Sequence, residues 1–152
     1  VLTALAIGVA VLAVLNRENA AEKKRLLNDA VFLIVAAGSE HQVSMEDIEA
    51  LEPREIEAIY KKSGKDPETR TYTGVPFAAV LRAKGIDTGA YQSAAFAAAD
   101  GYASALPMAD ALDETSCFIV IDGGDEGPFR MILAKDPFSQ RWCKLLTDVT
   151  LK

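Results

Sequence analysis

Few side chains in this sequence are suited to chemistry, and most of those that are carry positive charge. Lys61, Lys62 and Lys65 fall in one short polar stretch around Ser63 and Gly64, while Arg130 and Lys144 lie far along the chain. If folding gathers them, such cations focus a positive field on a pocket and favour an anion; left apart, each is a solvated surface charge. Tyr102, in Asp100-Gly101-Tyr102-Ala103-Ser104, offers a phenolic hydroxyl and a flat ring. It reads two ways: as a group that orients an anion, or as an aromatic that covers the core and ties down a loop through its hydroxyl. Cys117 and Cys143 lie in separate segments without CxxC spacing, and His41 is the single histidine, beside Glu40 in what reads as a surface turn. Neither a zinc nor an iron–sulfur site is supported, so no residue is assigned as a metal ligand. The cysteines are either two buried thiols or, in an exported domain, a disulfide pair.

The chain has 152 residues, half of them apolar and a quarter charged, which suits one globular domain with a short appendage. Its formal charge is −6, and apart from Lys23-Lys24-Arg25 the cations are scattered. A nucleic-acid partner is not expected, because such binders need basic patches that displace counterions from phosphate.

The appendage is Val1–Leu15, which is apolar or small except for Thr3 and carries no charge. This run is shorter than the about 20 residues of a spanning helix, yet its composition is of the membrane type. It predicts a membrane anchor helix; a signal-peptide remnant and a buried soluble helix are the other readings. Ala4 and Gly8 form a small-xxx-small face through which membrane-protein partners could pack. Residues 16–29 hold strong helix formers of mixed charge and predict a helical stalk, followed by a soluble domain over residues 30–152.

Within that domain the elements that must position the candidates are mostly short strands. Val31 to Val35 is a β-branched run bounded by Asp29 and Gly38, and Glu55 to Tyr60 is a half-exposed strand. Between them Ser44 and Asp47 frame a short helix that ends before Pro53. Lys61 to Arg70 reads as a loop, and Thr73-Gly74-Val75-Pro76 as the opening of a helix that Gly85 ends. Ala94–Ala99 leads as a strand into the Asp100-Gly101 turn, and Pro107 starts another short helix. Cys117–Ile121 and Phe129–Leu133 are apolar strands joined through the glycine-rich, acidic Asp122–Gly127. Together these predict a mixed α+β domain built on a curved sheet.

Order and spacing of motifs add a resemblance. Gly74-Val75-Pro76 with Val80-Leu81 and Gly85, then Asp100-Gly101-Tyr102 with Pro107, then Gly127-Pro128-Phe129-Arg130, then Trp142-Cys143-Lys144-Leu145-Leu146 is similar to the sulfite oxidase-like molybdopterin-binding family, over residues 30–152. That resemblance implies the fold of such a domain and molybdopterin as the cofactor to consider. In the family a loop cysteine ligates molybdenum, and the corresponding turn here reads Lys62-Ser63-Gly64. A lysine ammonium has no lone pair to offer in place of a thiolate. The resemblance therefore implies a single-domain member without the metal-ligating cysteine, with no residue assigned as catalytic and no cofactor expected on the residues alone.

What remains is a pocket for a small anionic, pterin-like ligand, with Lys62, Ser63, Gly64, Tyr102, Ser104, Arg130 and Lys144 as its candidate residues. The expected role is a membrane-tethered, non-catalytic binding or accessory subunit. Two alternatives stand: a molybdopterin-dependent oxidoreductase with a non-cysteine metal environment, and a purely structural subunit of a membrane complex. Arg17 and Lys23-Lys24-Arg25 would favour a cytoplasmic domain by the positive-inside rule. Exported single-domain members of the family point to the extracytoplasmic side, which is the expectation adopted.

Overall fold

A computed structural model describes residues 20–121 and 124–152. Residues 20–28 form helix α1, whose Leu26 is buried and whose Lys23 ammonium donates to the carbonyl of Ala98 at 3.1 Å, so the helix lies against the domain that follows. The predicted anchor, Val1–Leu15, falls outside the described residues, and among those described no helix is long and apolar enough to cross a membrane.

Among the described residues nine strands follow: β1 (Val31–Ala36), β2 (Ser39–Ser44), β3 (Arg54–Tyr60), β4 (Glu68–Pro76), β5 (Ser93–Ala98), β6 (Ala103–Pro107), β7 (Cys117–Val120), β8 (Arg130–Leu133) and β9 (Leu146–Leu151). Three short helices interrupt them: α2 (Met45–Glu49), α3 (Phe77–Ala83) and α4 (Met108–Ala111). The α+β expectation holds at that level, but the single curved sheet does not: the strands divide between two sheets. One has the order β2-β1-β9-β5-β6 and the other β3-β4-β7-β8. All pairings are antiparallel except β1 with β9.

The division follows from the pattern of apolar residues. β1, β5 and β9 alternate buried and half-buried side chains, so one face of their sheet is sealed, whereas β7 and β8 are buried at every position. Side chains from both sheets join one core, where Phe32 of β1 meets Phe129 edge-on at 5.0 Å and Phe77 of α3 meets Phe96 of β5 in the same way at 5.0 Å. Such edge-to-face pairs add about 0.5–1.5 kcal/mol each beyond area burial.

Local signals set several boundaries. Ser44 caps α2 by accepting from the Asp47 N–H at 3.2 Å, while the Asp47 carboxylate accepts from the Ser44 N–H at 2.9 Å, a reciprocal box. Gly85 at φ +67° terminates the chain turn after α3. Elsewhere the sequence expectations are corrected. Thr73–Pro76 belongs to β4, with Pro76 standing as the N-cap of α3 rather than within its first turn. The loop is confined to residues 61–67, because Thr69 and Arg70 continue β4 opposite Ile59 and Ala58. His41 lies in β2 opposite Ile34 and not in a turn.

Candidate functional site

Four chain segments converge at one end of the β3–β4 hairpin and enclose a cavity of about 330 Å³. The first is the end of β3 and the start of the loop: Tyr60, Lys61, Lys62 and Ser63 line one wall. The second is the β5–β6 turn, where Gly101 takes φ +90° and the Asp100 carboxylate accepts from the Tyr102 N–H at 3.1 Å. That side-chain-to-backbone bond is a local turn device of aspartate, and it sets both Asp100 and Tyr102 at the cavity.

The third segment is the entry to β8. A 3-10 turn at Gly124–Glu126 leads through Gly127, at φ +94° and packed so closely on Leu145 that an added Cβ would meet its Cα at 3.1 Å. Only glycine suits that combination, and it delivers Glu126 and Arg130 to the cavity. The fourth segment runs from a 3-10 turn at Ser139–Arg141 to Lys144, contributing Ser139, Gln140, Trp142 and Lys144.

Arg130 is the most constrained of these groups. Its side chain is 7% exposed and forms an ion pair with Glu126, while its guanidinium carbon lies 5.4 Å from the centroid of Trp142, 5.6 Å from Tyr72 and 6.0 Å from Tyr60. Rings at these distances hold a cation by their quadrupoles. Its Nε is buried and has no hydrogen-bond partner among the described residues. Around the same rings, Arg70 sits 3.6 Å and the Lys62 ammonium 5.5 Å from the centroid of Tyr60. The indole N–H of Trp142 is spent on the Leu133 carbonyl at 3.2 Å, which fixes the ring as part of the wall.

Tyr102 is 41% exposed and donates its hydroxyl to the Gln140 carbonyl. Burial raises its phenol above the ordinary value, aided by the nearby Cys143, while the Ser104 hydroxyl acts in the opposite direction. Among the sequence candidates, then, Lys62, Ser63, Tyr102, Arg130 and Lys144 share one cavity. Gly64 stands outside the lining, at φ +77° in the exposed turn. Ser104 is buried on β6 opposite Phe96, where it acts on Tyr102 rather than on the cavity. Sequence reading did not single out Glu126 or Asp100 as site residues; the four-residue spacing from Glu126 to Arg130 was the one available signal for the former.

Both cysteines are free and buried, which settles the pairing alternative for this structure. Neither lines the cavity, although Cys143 lies between Trp142 and Lys144, which do. Burial pushes the Cys143 thiol up to about 12 and that of Cys117 further still, leaving both as thiols. With no sulfur donor at its surface, the cavity does not fit a protein-ligated molybdenum. Among the described residues no group of three or more His, Cys, Asp or Glu could hold a metal ion. The side chains of the cavity instead fit an anion: among the described residues its lining holds Lys61, Lys62, Arg130 and Lys144 against Asp100 and Glu126.

Among solved structures, the sulfane dehydrogenase SoxCD from Paracoccus pantotrophus is similar to this chain with a TM-score of 0.64 at 13% sequence identity. The match covers 81% of this chain and 38% of that one, so this chain spans well under half the length of the protein that it resembles. A likeness at this identity shows the fold alone, an arrangement held in common at a distance. No protein-family model and no curated protein matches the sequence.

Proposed function

We propose that this domain binds a small anionic, pterin-like ligand in the cavity beneath Tyr60 and Trp142 and works as a binding or accessory module rather than as an enzyme. The observation that carries the reading is the charge of the lining. Four cationic side chains against two anionic ones gather there, in a chain whose formal charge is −6. Scattered solvated lysines would not concentrate in this way, and a positive concave site raises the local concentration of anions. Aromatic walls at Tyr60 and Trp142 suit a flat body, and pockets of this size sit at the small end of those that hold organic ligands, about 300–1,000 Å³.

The fold likeness to a sulfane dehydrogenase is what makes molybdopterin worth testing as the source of that ligand. Against a working molybdenum centre stand the absent sulfur donor and Lys62 at the turn. Tethering through Val1–Leu15, with membrane proteins as partners, completes the proposal and rests on the apolar composition of that run, while the extracytoplasmic side for the soluble domain rests on the family resemblance.

The test uses the full chain, made in a host that synthesises the molybdenum cofactor and analysed for molybdenum and for pterin. Molybdenum well below one atom per chain is expected, together with saturable binding of pterin-6-carboxylate read by the fluorescence of Trp142. Stoichiometric molybdenum, or no binding of that probe, overturns the reading.

A further inference from the structure

The ion pair between Glu126 and Arg130 is unequal. Arg130 is 7% exposed and packed among three rings, so its cation is fixed inside the protein and needs an anion beside it at all times. Glu126 is 31% exposed, on the 3-10 turn Gly124–Glu126, and a carboxylate there reaches water without a partner. If the pair opens, only the glutamate can leave.

The pairing is also incomplete. A guanidinium presents a planar fork that suits two parallel bonds to one carboxylate. Glu126 engages the terminal nitrogen Nη1, while Nε stays buried without a hydrogen bond to any described residue. A buried donor in that state is costly, so an arrangement that satisfies Nε has something to gain. Lys62 and Lys144 line the same cavity and would offset the charge of an incoming anion.

We infer that Glu126 is a built-in competitor: its carboxylate occupies the anion seat at Arg130 in the empty protein and is displaced to solvent when an external carboxylate binds there. Glu126 thereby sets the affinity threshold of the site, admitting only carboxylates that outbid an intramolecular one. This inference rests on the proposed anion site and concerns its regulation. It commits to a carboxylate because the group already seated at Arg130 is one.

The test compares wild type, Glu126→Gln and Asp125→Asn for binding of pterin-6-carboxylate by calorimetry at fixed ionic strength. Asp125 is the exposed neighbour outside the cavity, and its substitution removes the same charge. Removing the competitor lifts the fraction of protein already competent to bind, so Glu126→Gln is expected to bind roughly tenfold more tightly than wild type. Asp125→Asn should stay within about twofold, the residual effect of one screened charge. Equal tightening in both variants reduces the effect to general electrostatics and overturns the inference, as does unchanged or weaker binding by Glu126→Gln. No binding by wild type overturns the proposed anion site, even where Glu126→Gln binds. No binding by either overturns the anion site itself along with the inference.

A second readout covers loss of folding. Leaving Arg130 without its carboxylate should lower the urea midpoint of Glu126→Gln, and saturating probe should raise that midpoint by more than it raises wild type. Failure of the probe to restore the variant overturns displacement as the mechanism.

Discussion

The carbonyl of Lys61 accepts two hydrogen bonds from one residue, the Ser139 hydroxyl at 2.9 Å and the Ser139 N–H at 3.3 Å. Next along the chain, the Gln140 carbonyl accepts from the hydroxyl of Tyr102. The 3-10 turn at Ser139–Arg141 is thus held by the β3–β4 sheet on one side and by the β5–β6 turn of the other sheet on the other. Arg141 adds a third tie, donating to both oxygens of Asp136 at 2.8 Å and to Asp110 at 2.9 Å.

Ser139→Ala removes the hydroxyl but keeps the backbone bond, so about 1 kcal/mol of stability should be lost. Tyr102→Phe loosens the opposite tie. Urea unfolding measures each loss. Because both ties hold the same wall, the double variant is expected to be non-additive, as coupled neighbours are; simple additivity would mean that the two sheets grip the turn independently.

Gly74→Ala tests the close approach of β4 to β7. An added Cβ would stand 2.2 Å from the Ile119 carbonyl oxygen and 2.8 Å from the Val120 Cα, all of it backbone. Neither strand can yield without breaking the Gly74–Val120 and Val75–Ile119 register. A loss on the order of 3–5 kcal/mol is expected, within the class of severe steric substitutions. Circular dichroism during thermal melting reads it directly.

Asp47 gives the clearest dependence on pH. Its carboxyl is held below the usual carboxylate range, first by the Ser44 N–H and next by the Lys84 ammonium at 2.9 Å. A carboxyl lowered in the folded state contributes stability that is fully present above its unfolded value, about 3.9, and that fades as pH falls through the lower folded value. Asp47→Asn should therefore be less stable than wild type at pH 7, with the gap narrowing below pH about 4. Ser44→Ala removes the other half of the box at a cost of about 1 kcal/mol. Urea midpoints at neutral and acid pH check both; a gap that widens with acid would reverse the assignment.

Thiol accessibility checks the core. Cys117 and Cys143 are buried, and burial keeps both protonated, with Cys143 pushed up to about 12. Native protein should react negligibly with a thiol-specific disulfide reagent at pH 8, and fully with two equivalents per chain in denaturant. Prompt native reaction of one thiol would place it at a surface.

How far the sequence revealed this fold varies with the physics of each element. β1, β3, β7 and β8 were legible because their apolar patterns are strong, β5 because its alanine-rich run leads into the Asp100-Gly101 turn, and α2 because the Ser44–Asp47 box is a local signal. β2 was missed since Ser39–Ser44 buries only Val43, so its pairing with β1 leaves little trace in composition. β6 was missed because Ser104 alternates with Leu106 among alanines, and a buried serine masks the period. β9 drew no assignment although Leu146, Val149 and Leu151 are buried, because the buried Thr147 breaks the alternation of apolar and polar residues. For the site, cations were legible by type, and Lys62 with Arg130 and Lys144 do share a cavity. Its acidic members were not, because a carboxylate that holds an arginine looks in sequence like one that faces water.

The place of β9 carries a consequence for how the protein comes to exist. It lies between β1 and β5, and it alone joins the pair β2-β1 to the pair β5-β6. A ribosome releases β1 long before β9, so during synthesis the two halves of that sheet wait as unpaired edges with Phe32, Ile34 and Phe96 unsealed. Folding of this sheet is thus timed by its last strand. A stall or cut before Leu146 would leave two sticky hairpins in place of a domain.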